Sequence, residues 1–142
     1  PILINGYTGR MPDAKELIRL YFDAFNRHDA EGMLALLADD VIHDINEGSR
    51  EVGIDAFRRF KAHMDECYKE HISDLVILGD GDRGAAEFTC SGTYLKTDGS
   101  LPEAKGQTYS IWAGAFFDCR EGKITRITSC YSLKGWIEAI SG

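Results

Sequence analysis

Apolar and polar positions first follow helical spacing along this chain and later switch to the spacing of strands. Asp13 and Glu16 form a capping-box pattern ahead of an apolar stripe at Leu17, Ile18, Tyr21 and Phe25, which predicts a first helix. Residues 26–29 break the stripe, and Asp29 is placed to cap a short second helix through Met33, Leu34 and Leu37. "DVIHDI" then reads as a short strand followed by a glycine-containing loop. A third helix is predicted from Ile54 to near Glu70, with Phe57, Phe60, Met64 and Cys67 on one face.

After that helix the period becomes two. "ISDLVILG" reads as a strand and "DGDRG" as a tight turn. Residues 86–94 alternate, with Ala86, Phe88, Cys90, Gly92 and Tyr94 on one face and Glu87, Thr89, Ser91 and Thr93 on the other. "TDGSLPEAKG" is a loop, and strands over 107–117 and 123–133 follow, joined at "DCREG". Their inward sets are Tyr109, Ile111, Ala113, Ala115 and Ile127, Ser129, Tyr131. A short helix over 136–140 closes the chain.

Consecutive hairpins favour an antiparallel sheet, so the fold class is α+β. A long twisted sheet of this kind curls, and three helices packed on its concave side leave a cone with an open mouth. Gly92 and Gly114 fall inside strand patterns, where bends or close approaches are expected. Such a cone is a natural small-molecule pocket. Residues 12–142 read as a single domain, and residues 1–11, which show no periodicity, as a flexible lead-in.

Composition narrows the partners. The chain has 142 residues, 44% hydrophobic and 27% charged, which is an ordinary globular balance. A net charge of -7 without a Lys/Arg cluster argues against nucleic acid or an anionic membrane surface as partner. No apolar run is long enough to span a bilayer, and the start lacks a basic-then-apolar signal pattern. Cys67, Cys90, Cys119 and Cys130 form no CxxC pair, and free thiols in a reducing cytoplasm are expected. Cys90, on an apolar face, should behave as a small hydrophobe.

Candidate chemistry centres on the adjacent His43 and Asp44, followed by Asn46, at the end of the "DVIHDI" strand. Neighbours on a regular strand point opposite ways, so one of the two enters the cone and the other faces out. A histidine titrating near neutrality suits proton transfer, and a carboxylate desolvated in an apolar cone becomes a better base. Tyr21 lies on the apolar stripe of the first helix. Phe57, Phe60, Met64, Phe88, Tyr109, Ala113, Ser129 and Tyr131 are the lining candidates, with Asn46 as a polar handle. His63, Cys67 and His71 recur at i, i+4 and i+8, but on a continuous helix the outer pair lies about 12 Å apart, so no metal site is expected from these three. No phosphate loop or dinucleotide fingerprint occurs, and the acid/base chemistry needs no cofactor.

The stretch "LIRLYFDAFNRHDAEGMLALLADDVIHD" resembles the opening of the ketosteroid isomerase-like and SnoaL-like families of the nuclear transport factor 2-like superfamily. The tail "AGAFFDCREGKITRITSCYSLKGWIEAI" resembles their closing hairpin. The resemblance covers residues 14–140 and is closest to the ketosteroid isomerase-related proteins. It implies a curved-sheet cone, a homodimer through the outer sheet face, and chemistry inside the cone. Ketosteroid isomerase pairs an Asp base with an oxyanion hole made of a Tyr and a protonated Asp. By this resemblance Tyr21 matches the oxyanion Tyr, and Asp44 falls at or one residue before the base, with His43 the alternative. Ala113 stands where the protonated Asp would lie, and an alanine donates no hydrogen bond.

Steroid isomerisation is therefore not expected, while related families include epoxide hydrolases, polyketide cyclases and dehydratases. The expected function is acid/base chemistry of isomerase, lyase or hydrolase type on a hydrophobic, oxygen-bearing small molecule. The competing readings are a non-catalytic ligand-binding protein and a dimeric interaction module with a plugged cone.

Overall fold

The computed structural model describes residues 10–142 and, before them, the backbone strands β1 (Leu3–Ile4) and β2 (Tyr7–Thr8), which pair antiparallel. Residues 1, 2, 5, 6 and 9 of the expected lead-in lie outside the described residues. The helices are α1 (Ala14–Asn26), α2 (Ala30–Leu34), α3 (Ile54–Cys67) and α4 (Leu133–Ser141). The strands are β3 (Leu37–Asp44), β4 (Arg50–Val52), β5 (Tyr68–Asp80), β6 (Arg83–Tyr94), β7 (Thr108–Arg120) and β8 (Lys123–Tyr131).

Among the described residues, six strands form one curved sheet in the order β4-β3-β8-β7-β6-β5. The hairpin succession β5 to β8 is antiparallel, as the turns dictate. β3 departs from the antiparallel expectation, because it pairs with β8 in parallel. Hairpin reasoning reaches only strands adjacent in sequence, and this contact closes across most of the chain. β4, an antiparallel partner of β3, occupies part of the expected loop.

α1 begins at the predicted capping box. The Asp13 carboxylate accepts from the Glu16 N–H at 3.0 Å, and the Glu16 carboxylate accepts from the Asp13 N–H at 3.2 Å. The buried stripe of α1 includes Leu17, Ile18, Tyr21 and Phe22, and the helix lies across β5, β6 and β7. Phe22 meets Phe88 at 5.0 Å and Phe117 at 6.1 Å, tying helix to sheet. Burying one such aromatic contributes roughly 1.5–3 kcal/mol.

α3 stops at Cys67, not near Glu70, and passes straight into β5. The loop after β6 makes this abrupt change tolerable, since the Leu95 N–H donates to the Cys67 carbonyl that the helix leaves open, at 2.8 Å. A second cluster forms where α4 lays Trp136 against Tyr94 at 4.9 Å, Tyr109 at 5.8 Å and Tyr68 at 5.9 Å. α4 starts at Leu133, three residues before the expected onset at residue 136, because Ser132 caps it through the Gly135 N–H. At Gly92 the expected close approach is present. A Cβ there would lie 2.5 Å from the Tyr109 hydroxyl oxygen, so only glycine lets that ring cross the strand.

Candidate functional site

The concave face of the sheet, α1, α3 and α4 enclose a cavity of about 290 Å³. Its wall is mainly apolar, with Phe22, Phe88, Ile111, Phe117 and Ile127 at its depth. A neighbouring pocket of about 340 Å³ opens between α1, α3 and β5 and shares Tyr21, Phe60, Met64, Tyr68 and Glu70 with it. The cone is open rather than plugged.

β3 decides which of its two adjacent candidates faces the cavity. The irregularity in its pairing lies between Leu37 and Ile42, so residues 42–44 alternate regularly. His43 turns inward and is 3% exposed, with Phe57 at 4.9 Å and Phe60 at 4.6 Å from its ring. Its Nδ1 is sealed off without a hydrogen-bond partner. Burial penalises the imidazolium and lowers the pKa to about 4, only partly opposed by the nearby Asp44 charge, so the ring is neutral at physiological pH.

Asp44, expected as the base, points to the outer face of the sheet. The Arg50 Nε donates to it at 2.6 Å and the Thr128 hydroxyl at 2.9 Å, with Arg126 at 3.8 Å. The Arg50 hydrogen bond leads the effects that hold this carboxyl below the ordinary range. An acid locked between cations outside the cone is no base for a molecule inside it.

Tyr21 lines the cavity, and its hydroxyl makes no hydrogen bond to the protein among the described residues. Burial raises its pKa, which keeps it a donor. Phe60, Met64, Phe88, Ala113, Ser129 and Tyr131 also line the cavity. Asn46 sits on the wall and accepts the Tyr131 N–H at 2.7 Å. Two lining candidates stand elsewhere. Phe57 lines the neighbouring pocket while contacting His43, and Tyr109 lies behind the wall, donating to the Glu70 carboxylate at 2.7 Å.

Glu70 itself escaped the sequence reading. It is half-buried on the cavity wall between Tyr68 and Ile72, and with His43 it brings acid/base capacity into the cone. The signal for it is the alternation Tyr68, Glu70, Ile72, which belongs to β5 from its first residue. Asp98 was missed as well, and the loop over residues 95–107 carries it to the cavity rim.

The model of the SnoaL-like domain matches residues 18–127. The chain belongs to this SnoaL-like family. A proposed polyketide cyclase from Pseudomonas putida KT2440 is similar to this SnoaL-like domain at 47% identity, covering 93% of this chain and 99% of that one with a TM-score of 0.89. The LEH-like epoxide hydrolase of M. tuberculosis, at 18% identity, covers 90% of this chain and 89% of its own with a TM-score of 0.72, which shows the shared fold. Among curated proteins, the zinc transport protein ZntB of Cronobacter sakazakii is 35% identical over 82 residues, 54% of this chain. The chain spans 25% of the length of that relative. No helix among the described residues is long and apolar enough to cross a membrane.

Proposed function

We propose that this SnoaL-like domain binds a hydrophobic, carbonyl-bearing small molecule in its cone and moves protons on it, in chemistry of isomerase, lyase or hydrolase type. One observation carries the reading: an unprotonated imidazole and an unengaged phenol share the wall of a single apolar cavity.

Of the two expected candidates for the base, His43 takes the role and Asp44 does not. With a pKa of about 4 it is a neutral base of carboxylate strength, and the Asp base of ketosteroid isomerase works at a comparable pKa of about 4.6. Deprotonating a carbon beside a carbonyl builds negative charge on the oxygen, and the Tyr21 hydroxyl is the donor available to hold it. Glu70, held by the Tyr109 hydroxyl, offers a carboxylate as a second proton acceptor within the same cavity. Ala113 supplies no donor, so a partner for Tyr21 must come from elsewhere on the wall, where the Tyr131 and Ser129 hydroxyls lie. Ring closure of a polyketide, the reaction named for the Pseudomonas protein, needs the same two services, carbon deprotonation and enolate stabilisation.

A non-catalytic binder is the second reading, favoured by the unpartnered Nδ1, which leaves His43 without an orienting hydrogen bond. Exchange of the α-protons of 2-tetralone in D2O, followed by NMR, separates the two. Wild type and Asp44→Asn are expected to accelerate exchange alike, while His43→Ala and Tyr21→Phe each lose about 100-fold or more. Saturable binding with no acceleration supports the binder. Equal loss in Asp44→Asn overturns the assignment of His43.

A further inference from the structure

α3 and the loop over residues 95–107 bring together three side chains that proton transfer in the cone does not use. His63 and Cys67 stand one helical turn apart on α3, and the loop returns Asp98 over them. The His63 Nε2 lies 2.6 Å from Asp98 Oδ1 and 3.9 Å from Cys67 Sγ, and all three donor atoms fall within 4.8 Å of one another.

The cluster is held from behind. The Tyr68 hydroxyl donates to the other Asp98 oxygen, Oδ2, at 2.7 Å. The Asp98 N–H donates to the Tyr94 hydroxyl at 2.9 Å, and that hydroxyl in turn donates to the Pro102 carbonyl at 2.7 Å. A ligating carboxylate fixed through its second oxygen is the arrangement that orients ligands in metal sites. His71, which a continuous helix would have put on the same face, lies exposed on β5 and takes no part.

From this geometry we propose a binding site for a divalent transition ion of the zinc class, with His63, Cys67 and Asp98 as ligands and the fourth position open to the cavity. The donor set selects the ion, since a thiolate and an imidazole suit zinc or cobalt and not magnesium or calcium. Bonds of about 2.0–2.3 Å place tetrahedral ligand atoms roughly 3.3–3.8 Å apart. The sulfur–nitrogen separation of 3.9 Å must close by about 0.3 Å. The His63–Asp98 pair must open by about 0.7 Å, which two side chains at the rim accommodate by rotation.

The open position follows from the surroundings. Cys67 is 1% exposed and closes the back of the cluster, whereas His63 and Asp98 line the cavity. Three protein ligands with one free position is the pattern of zinc sites that take water or a ligand oxygen.

The test uses tag-free protein, stripped with a chelator and titrated with Co2+ alone, so it is independent of the proton-transfer reading. Wild type is expected to bind one Co2+ per chain, with a thiolate-to-cobalt charge-transfer band and the visible bands of a tetrahedral site, both bleached by Zn2+. Cys67→Ser loses the charge-transfer band. His63→Ala and Asp98→Ala, each checked for an unchanged circular dichroism spectrum, weaken binding. Tyr68→Phe weakens it by about 10–100-fold, while His71→Ala and Cys130→Ser match wild type. The proposal is overturned if wild type shows no charge-transfer band, if the band survives in Cys67→Ser, or if His63→Ala and Asp98→Ala bind Co2+ as tightly as wild type.

Discussion

His43 and Asp44 are neighbours in sequence and opposites in circumstance. The imidazole is packed between phenyl rings and stays neutral, while the carboxylate is held among guanidinium groups on the outer sheet face. This contrast has a measurable consequence in stability. His43 has a pKa of about 4 in the fold, against an ordinary value of 6.5. Between these values the unfolded chain binds the proton more readily, so the contribution of His43 is complete above pH 6.5 and is lost as pH falls towards 4. The loss amounts to roughly 3 kcal/mol, at about 1.4 kcal/mol per unit. Denaturant midpoints measured from pH 7 to 4 should therefore fall more steeply for wild type than for His43→Phe. Parallel profiles would mean that His43 takes up its proton as readily in the fold as in the unfolded chain. The sequence presented both side chains and left open which one enters the cone, because the answer depends on a pairing register set by β8, a strand about 80 residues away. Tyr21, by contrast, was legible, since its position on a helical stripe needs no distant partner to define it.

At the level of elements, local signals were read well and junctions poorly. The capping box of α1 is written in Asp13 and Glu16, and both of its hydrogen bonds are present. Replacing Asp13 by Ala removes the acceptor for the Glu16 N–H and should cost about 1 kcal/mol. In calorimetry that corresponds to a Tm lower by roughly 3 °C, and an unchanged Tm would show that the start of α1 frays without penalty. The junction of α3 and β5 has no comparable local mark. Neither glycine nor proline intervenes between Cys67 and Tyr68, and the helix ends there because a loop from after β6 takes over the Cys67 carbonyl. That non-local contact is why Glu70 was read as a helix end instead of a cavity wall, and why Asp98 could not be connected to His63 and Cys67. The elements that build the site were visible, but the seams that aim its acidic groups were not.

For the whole molecule, the curved sheet hides one face in the cone and leaves the other uncovered, and that outer face is not uniformly polar. Trp112 is 70% exposed, Leu78 67% and Phe116 50%. Pairing aligns Leu78, Ala85 and Phe116 in one row across β5, β6 and β7, with Trp112 two same-face positions along β7, beyond Gly114. We propose that a second copy of the chain covers this face, the homodimer that the family resemblance implies, since contiguous apolar area of this kind marks an interface more often than bare surface. Each chain carries a net charge of -7, so two copies repel and rising salt should strengthen association by screening. Sedimentation velocity should find wild type at twice the 15.8 kDa chain mass. Phe116→Asp, at a half-exposed site that the fold does not need filled, should sediment as a monomer with its circular dichroism unchanged. A wild type that stays monomeric as salt and protein concentration rise would remove the dimer, and would leave the exposed row of Leu78, Phe116 and Trp112 to some other partner.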